Sequence, residues 1–112
     1  MTSKAEQAEA TRAALLRTGR RLFAERGYAA TSTEALVAEA GVTRGALYYH
    51  WADKLALFDA VFEDVERELV ERLLAQLGDA GDDPVALLRK GVDVFLDACL
   101  DPAVQRIVLL EG

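Results

Sequence analysis

Four residues within a short stretch could do chemistry at a polyanionic surface: Arg44, Gly45, Tyr48 and Tyr49. If residues 44 to 50 are helical, turning about 100° per residue, the four fall within one arc while Leu47 points away. A guanidinium offers paired donors to a phosphate or to guanine O6 and N7. A glycine lets another backbone come close, and two phenols suit base edges, thymine methyls and phosphates. Other chemistries are thinly supplied. His50 is the only histidine and Cys99 the only cysteine, with no paired cysteine, H-E-x-x-H or phosphate-cradling glycine loop in the chain. No metal site, cofactor or catalytic set is expected, and the chain reads as a non-enzyme. At the end of the same short helix, His50 is better explained as a donor to a phosphate than as a packing residue.

Those residues need two short helices and a tight turn to hold them. Thr31 and Glu34 have the spacing of a capping box, which starts a helix at Ser32. Gly41 closes it, since glycine tolerates the left-handed backbone at a helix end. Thr43 is an N-cap for the second helix, expected over Arg44 to His50. Leu47 then joins Leu36, Val42 and Trp51 in a small core, leaving the other face free to read. Two short helices around a glycine turn are the grammar of a helix-turn-helix.

The runs G-Y-x-x-T-S (Gly27 to Ser32) and A-G-V-T-x-G-x-L-Y-x-H-W-x-x-K (Ala40 to Lys54) resemble the DNA-binding domain of the TetR family of bacterial transcriptional regulators. At motif level the likeness covers residues 10 to 58. Val37 stands where the family usually has Ala, Trp51 where Phe is commoner and Gly19 where Ala is usual; each is a packing change. The resemblance implies base reading by Thr33, Arg44, Gly45 and Tyr49, with Tyr48 contributing at the groove. It implies phosphate contacts from Thr31, Thr43, Tyr48, His50 and Lys54. Further implications are double-stranded DNA with a palindromic operator as partner, a small-molecule effector, a homodimer at full length, and ligand-driven movement of a long fourth helix that releases the operator.

The rest of the chain supplies supporting helices. Ser3 and Glu6 can cap a first helix carrying Leu15, Leu16, Leu22 and Phe23 and ending at Gly27. Gly19 lies on the same stripe, where it costs about 1 kcal/mol against alanine but lets another helix approach. The arginines Arg12, Arg17, Arg20, Arg21 and Arg26 read mostly as a solvated face. Asp53 can cap a long helix with Phe58, Val61, Phe62, Val65, Leu69, Leu73 and Leu77 at helical spacing, ending near Gly78. A cation at Lys54 is unfavourable in that helix's first turn, which is easier to understand if it meets a phosphate. Asp83-Pro84 restarts a fifth helix with Val85, Leu88, Val92, Phe95, Leu96 and Cys99 as its stripe, and Asp101-Pro102 restarts a sixth. Phe58, Phe62, Phe95 and Cys99 are candidates for a ligand pocket, with core packing as the alternative fate of each.

At 112 residues, 52% of them hydrophobic, the chain can bury a core. The formal net charge of −6 divides unevenly: residues 1–54 hold eight Lys/Arg against six Asp/Glu, and residues 55–112 hold five against thirteen. One end can meet phosphates while the other stays off them. A lone cysteine and the lack of a leader-like opening imply a cytosolic protein, and no apolar run reaches the ~20 residues that cross a bilayer. The expectation is an all-α protein with a helix-turn-helix head (1–54), a long connecting helix and a partial helical ligand-binding and dimerisation domain (55–112). Its function would be sequence-specific transcriptional control, most simply repression. As family members are about twice as long, this chain is expected to be incomplete as a regulator and at most weakly associating. The competing reading is a helical protein–protein module without DNA binding.

Overall fold

In the computed structural model, which describes residues 3–79, 81 and 83–110, helices follow one another without a strand among the described residues. The order is α1 (Lys4–Arg26), α2 (Thr33–Ala40), α3 (Arg44–His50), α4 (Lys54–Asp79), α5 (Pro84–Cys99) and a final π-helix (Val104–Leu110). Ala80 and Asp82, in the turn expected between α4 and α5, and Glu111 and Gly112 lie outside the described residues.

The boundaries follow from side chains that satisfy free helix ends. Ser3 Oγ accepts from the Glu6 N–H at 3.1 Å, Thr43 Oγ1 from Ala46 at 3.1 Å and Asp53 Oδ1 from Ala56 at 2.8 Å. Asp83 and Asp101 do the same for Val85 and Ala103. Gly41 sits in the left-handed region at φ 70°, and the Val42 N–H returns to the Val37 carbonyl, closing α2 as a helix-ending glycine does. The start of α2 differs from expectation. Its cap is Ser32, whose Oγ accepts from Ala35 at 3.1 Å, so the helix begins at Thr33. Thr31 is fully buried instead, and its hydroxyl donates to the Gly27 carbonyl at 2.8 Å, with the Leu22 carbonyl 3.3 Å away. Gly27 caps the C-terminal end of α1, so the buried Thr31 hydroxyl locks the turn that follows that helix rather than facing outward.

One core joins these elements. Leu15, Leu22 and Phe23 of α1 meet Leu36, Leu47 and Trp51, then Leu57, Phe58, Val61 and Val65 of α4, and Val104 and Ile107 of the π-helix. Phe58 stands edge-on to both Phe23 and Tyr28, at centroid separations of 5.1 and 5.2 Å. Gly19 is buried at the α1–α4 crossing, where an added Cβ would lie 3.2 Å from Val61 Cγ2. An ion pair from Arg20 to Glu68, 2.7 Å, spans the same two helices.

The fifth helix reverses its expected orientation. Val85, Leu88, Val92, Phe95 and Leu96 are exposed, Ala98 is buried, and Ala86, Leu87, Lys90, Gly91, Val94 and, from the expected stripe, Cys99 are half-buried. Leu87, Gly91, Val94 and Ala98 recur at the spacing of a helical seam, and α5 packs against α4.

Candidate nucleic-acid interface

The α2–turn–α3 unit is held from beneath. Leu36, Leu47 and Trp51 are buried, and Val42 is packed against that core. Their burial fixes the rotation of α3 and leaves its other face to solvent, where Arg44 and Gly45 are exposed, with Tyr48 at 44% and Tyr49 at 77%. A Cβ at Gly45 would meet only Thr43 Oγ1, 3.9 Å away, so nothing inside the described structure requires a glycine there. Open space above the backbone is what a groove wall or base edge would use.

Around this face, Thr33 is half-buried and donates to Glu34 Oε2 at 3.4 Å. Thr43 is exposed, with its oxygen occupied by the cap of α3. His50 is half-buried between Tyr49 and Trp51, edge-on to the Tyr49 ring at 4.9 Å. Arg12 of α1 lies 5.5 Å over Trp51, so it braces the rear of α3. Arg21 pairs with Glu39 at 3.0 Å, tying α1 to α2 in keeping with a structural use of the α1 arginines.

The phosphate assignment of Thr31 is corrected by these contacts, and Lys54 has a contact within the chain that the sequence did not show. Thr31 is sealed in the α1–α2 turn and its hydroxyl is committed to backbone carbonyls. Lys54 is half-buried, and its Nζ donates to the Tyr28 carbonyl at 3.0 Å while lying 4.1 Å over the Tyr28 ring. That pairing offsets the dipole cost of a cation at the start of α4 within the chain itself. The ligand-pocket set is also corrected. Phe58 is buried in the core and Phe62 packs against it, whereas Phe95 is 63% exposed on α5 and Cys99 is half-buried near that helix's end. They do not surround one cavity because the face of α5 that carries Phe95 turns away from α4.

The sequence reading missed two features. Glu34 Oε1 lies 3.7 Å from Arg44 Nη1, an ion pair across the two helices. An open groove of about 450 Å³ also runs between the start of α1 and α3, lined by Lys4, Gln7, Ala8, Thr11, Ala46, Tyr49 and His50. Lys4 in the first turn of α1, the less favourable end for a cation, was the available hint for the second.

A buried seam beneath a helix whose outer face carries a cation, a bare backbone and two phenols defines the helix-turn-helix class. Residues 15–61 match the model of "Bacterial regulatory proteins, tetR family". The chain belongs to that family. It is 32% identical over 104 residues to the HTH-type transcriptional regulator AcrR of Shigella flexneri, covering 93% of this chain and 48% of that regulator. A TetR-family transcriptional regulator from Pectobacterium atrosepticum of known crystal structure is 45% identical, with a TM-score of 0.79 over 97% of this chain and 55% of that one. A gamma-butyrolactone receptor described as ArpA-like shares 36% identity and a TM-score of 0.68, over 89% of this chain and 50% of the receptor. The chain thus spans about half the length of the curated relatives it matches. Family and relatives are regulators rather than enzymes, and among the described residues no helix is long and apolar enough to cross a membrane.

Proposed function

We propose that this chain is the DNA-binding portion of a ligand-responsive transcriptional regulator, most simply a repressor, with α3 entering the major groove. The observation that carries this reading is the outer face of α3: Arg44, Tyr48 and Tyr49 exposed beside a glycine for which the described structure offers no packing reason. Arg44, Gly45, Tyr49 and Thr33 read base edges with Tyr48 at the groove wall, and Thr43, Tyr48 and His50 hold phosphates. Residues 1–54 form the reading head. The remainder begins the regulatory part, whose effector is a small molecule; the gamma-butyrolactone receptor among the similar structures supports that class of ligand. In the whole regulator two heads, brought together as a homodimer, read a palindromic operator in cells' cytoplasm.

Selection of duplexes from a random pool, followed by titration at several salt concentrations, tests the reading. A recovered consensus whose binding falls steeply with salt supports it, because phosphate contacts release counterions. Salt-insensitive or absent binding favours a protein–protein module, for which the exposed stripe on α5 would be the surface.

A further inference from the structure

Glu34 occupies a position that electrostatics alone disfavours. It is exposed on α2, beside the face of α3 that the proposed function turns toward DNA, and a carboxylate there repels phosphates as a lysine would attract them. Its two oxygens are nevertheless both engaged: Oε1 lies 3.7 Å from Arg44 Nη1, and Oε2 accepts from Thr33 Oγ1 at 3.4 Å. Thr33 is half-buried at the first turn of α2, so the chain of contacts starts from an anchored residue and ends on the most exposed cation of α3.

A free arginine beside a duplex has many phosphates to choose from and few base edges. Charge attraction to phosphate is long-ranged and tolerant of geometry, whereas the contact to guanine O6 and N7 needs one orientation of the fork. A carboxylate 3.7 Å from one guanidinium nitrogen changes that competition. It offsets part of the charge that would draw Arg44 to the nearest phosphate, and it leaves the other guanidinium N–H donors for a base edge. We infer that Glu34 is a specificity-determining residue, a positioning residue that holds Arg44 for base reading and suppresses its contact with random DNA. This inference rests on the reading of α3 given above.

The test uses the 112-residue chain and its Glu34→Ala, Glu34→Gln, Arg44→Ala and Glu34→Ala/Arg44→Ala variants. Each is titrated against a duplex recovered by the unaltered chain from a random pool, and against a shuffled duplex of the same composition, over a range of salt. Glu34→Ala should tighten the shuffled duplex, steepen its salt dependence by about one ion, and lower the preference for the recovered duplex roughly fivefold, the upper range for an exposed ion pair. Glu34→Gln, with the same shape and no charge, should move both quantities in the same direction and guards against a folding artefact in the alanine variant. With Arg44 already removed, removing Glu34 should leave the preference unchanged. The inference is overturned if both duplexes tighten alike with preference intact, or if the preference falls as much without Arg44 as with it. No preference in the unaltered chain would overturn the reading of function itself, an outcome distinct from a preference that Glu34 does not influence.

Discussion

Removing the ammonium of Lys54 should unsettle the fold and leave the salt dependence of DNA binding alone. The group makes a charge-assisted hydrogen bond to the Tyr28 carbonyl at 3.0 Å and lies 4.1 Å over the Tyr28 ring. A hydrogen bond to a charged group contributes about 1.5–3 kcal/mol and a cation over an aromatic face about 0.5–1 kcal/mol. Against these, about 0.3–1 kcal/mol is recovered by taking a cation out of the first turn of α4, and the side chain is only half-buried. A net loss of about 2 kcal/mol is expected for Lys54→Met, which keeps most of the aliphatic stem. At roughly 4–8 °C per kcal/mol for a domain near this size, Tm should fall by roughly 8–16 °C. Lys54→Arg, which retains a cation for the ring, should lose less. Thermal melts followed by helical circular dichroism give the first readout, and duplex titration over a range of salt gives the second. If Lys54→Met melts with the unaltered chain while its salt slope falls by about one, the lysine is a phosphate anchor and the clamp on Tyr28 is incidental.

Other outcomes follow from named contacts. Gly19→Leu should lower stability by ~1–3 kcal/mol through overpacking, because even a Cβ there lies 3.2 Å from Val61 Cγ2 and 3.7 Å from Leu57 Cδ2. Gly19→Ala should stay close to the parent in a melt, its gain of about 1 kcal/mol in helix propensity offset by that same tight contact; a higher Tm for both variants would refute a close crossing. Thr31→Val keeps the shape but removes the donor to the Gly27 carbonyl, so it should cost about 1–3 kcal/mol in a denaturant titration with no change in salt slope. Arg44→Ala should cost ~1–3 kcal/mol on a preferred duplex and relax one base position, which a binding selection on the variant would display.

How much of this was legible in the sequence depended on whether the signal was local. Thr43, Asp53 and Asp83 mark helix starts because a side-chain oxygen bonds to an N–H two or three residues away, and all three do so. Gly27 and Gly41 mark helix ends because both require positive φ. Even a local signal slips by one residue when two neighbours carry hydroxyls: Thr31 and Ser32 could each cap α2, and only tertiary packing decides that Thr31 is the buried one. The exposed face of α3 was legible for the same local reason, since seven residues of one helix settle which side chains share an arc.

What the sequence withheld are relations between elements, and these determine how the site works. Tyr28 and Lys54 are 26 positions apart, and each has an unremarkable role when read alone: an aromatic at a helix end and a cation at a helix start. Folding brings them together because Phe58, one turn into α4, docks against both Phe23 and Tyr28 and so sets the start of α4 beside the turn after α1. The same logic reverses α5. Its bulky stripe is the stronger signal by hydrophobicity, yet the side that loses solvent against α4 is the one carrying Leu87, Val94 and Ala98. Sequence periodicity finds apolar faces, but it cannot rank two faces of one helix when both carry apolar residues. For the reading head the ambiguity does not arise: Leu47 offers α3 a single apolar side, and its burial against Leu36 and Trp51 is enough to turn Arg44, Tyr48 and Tyr49 outward.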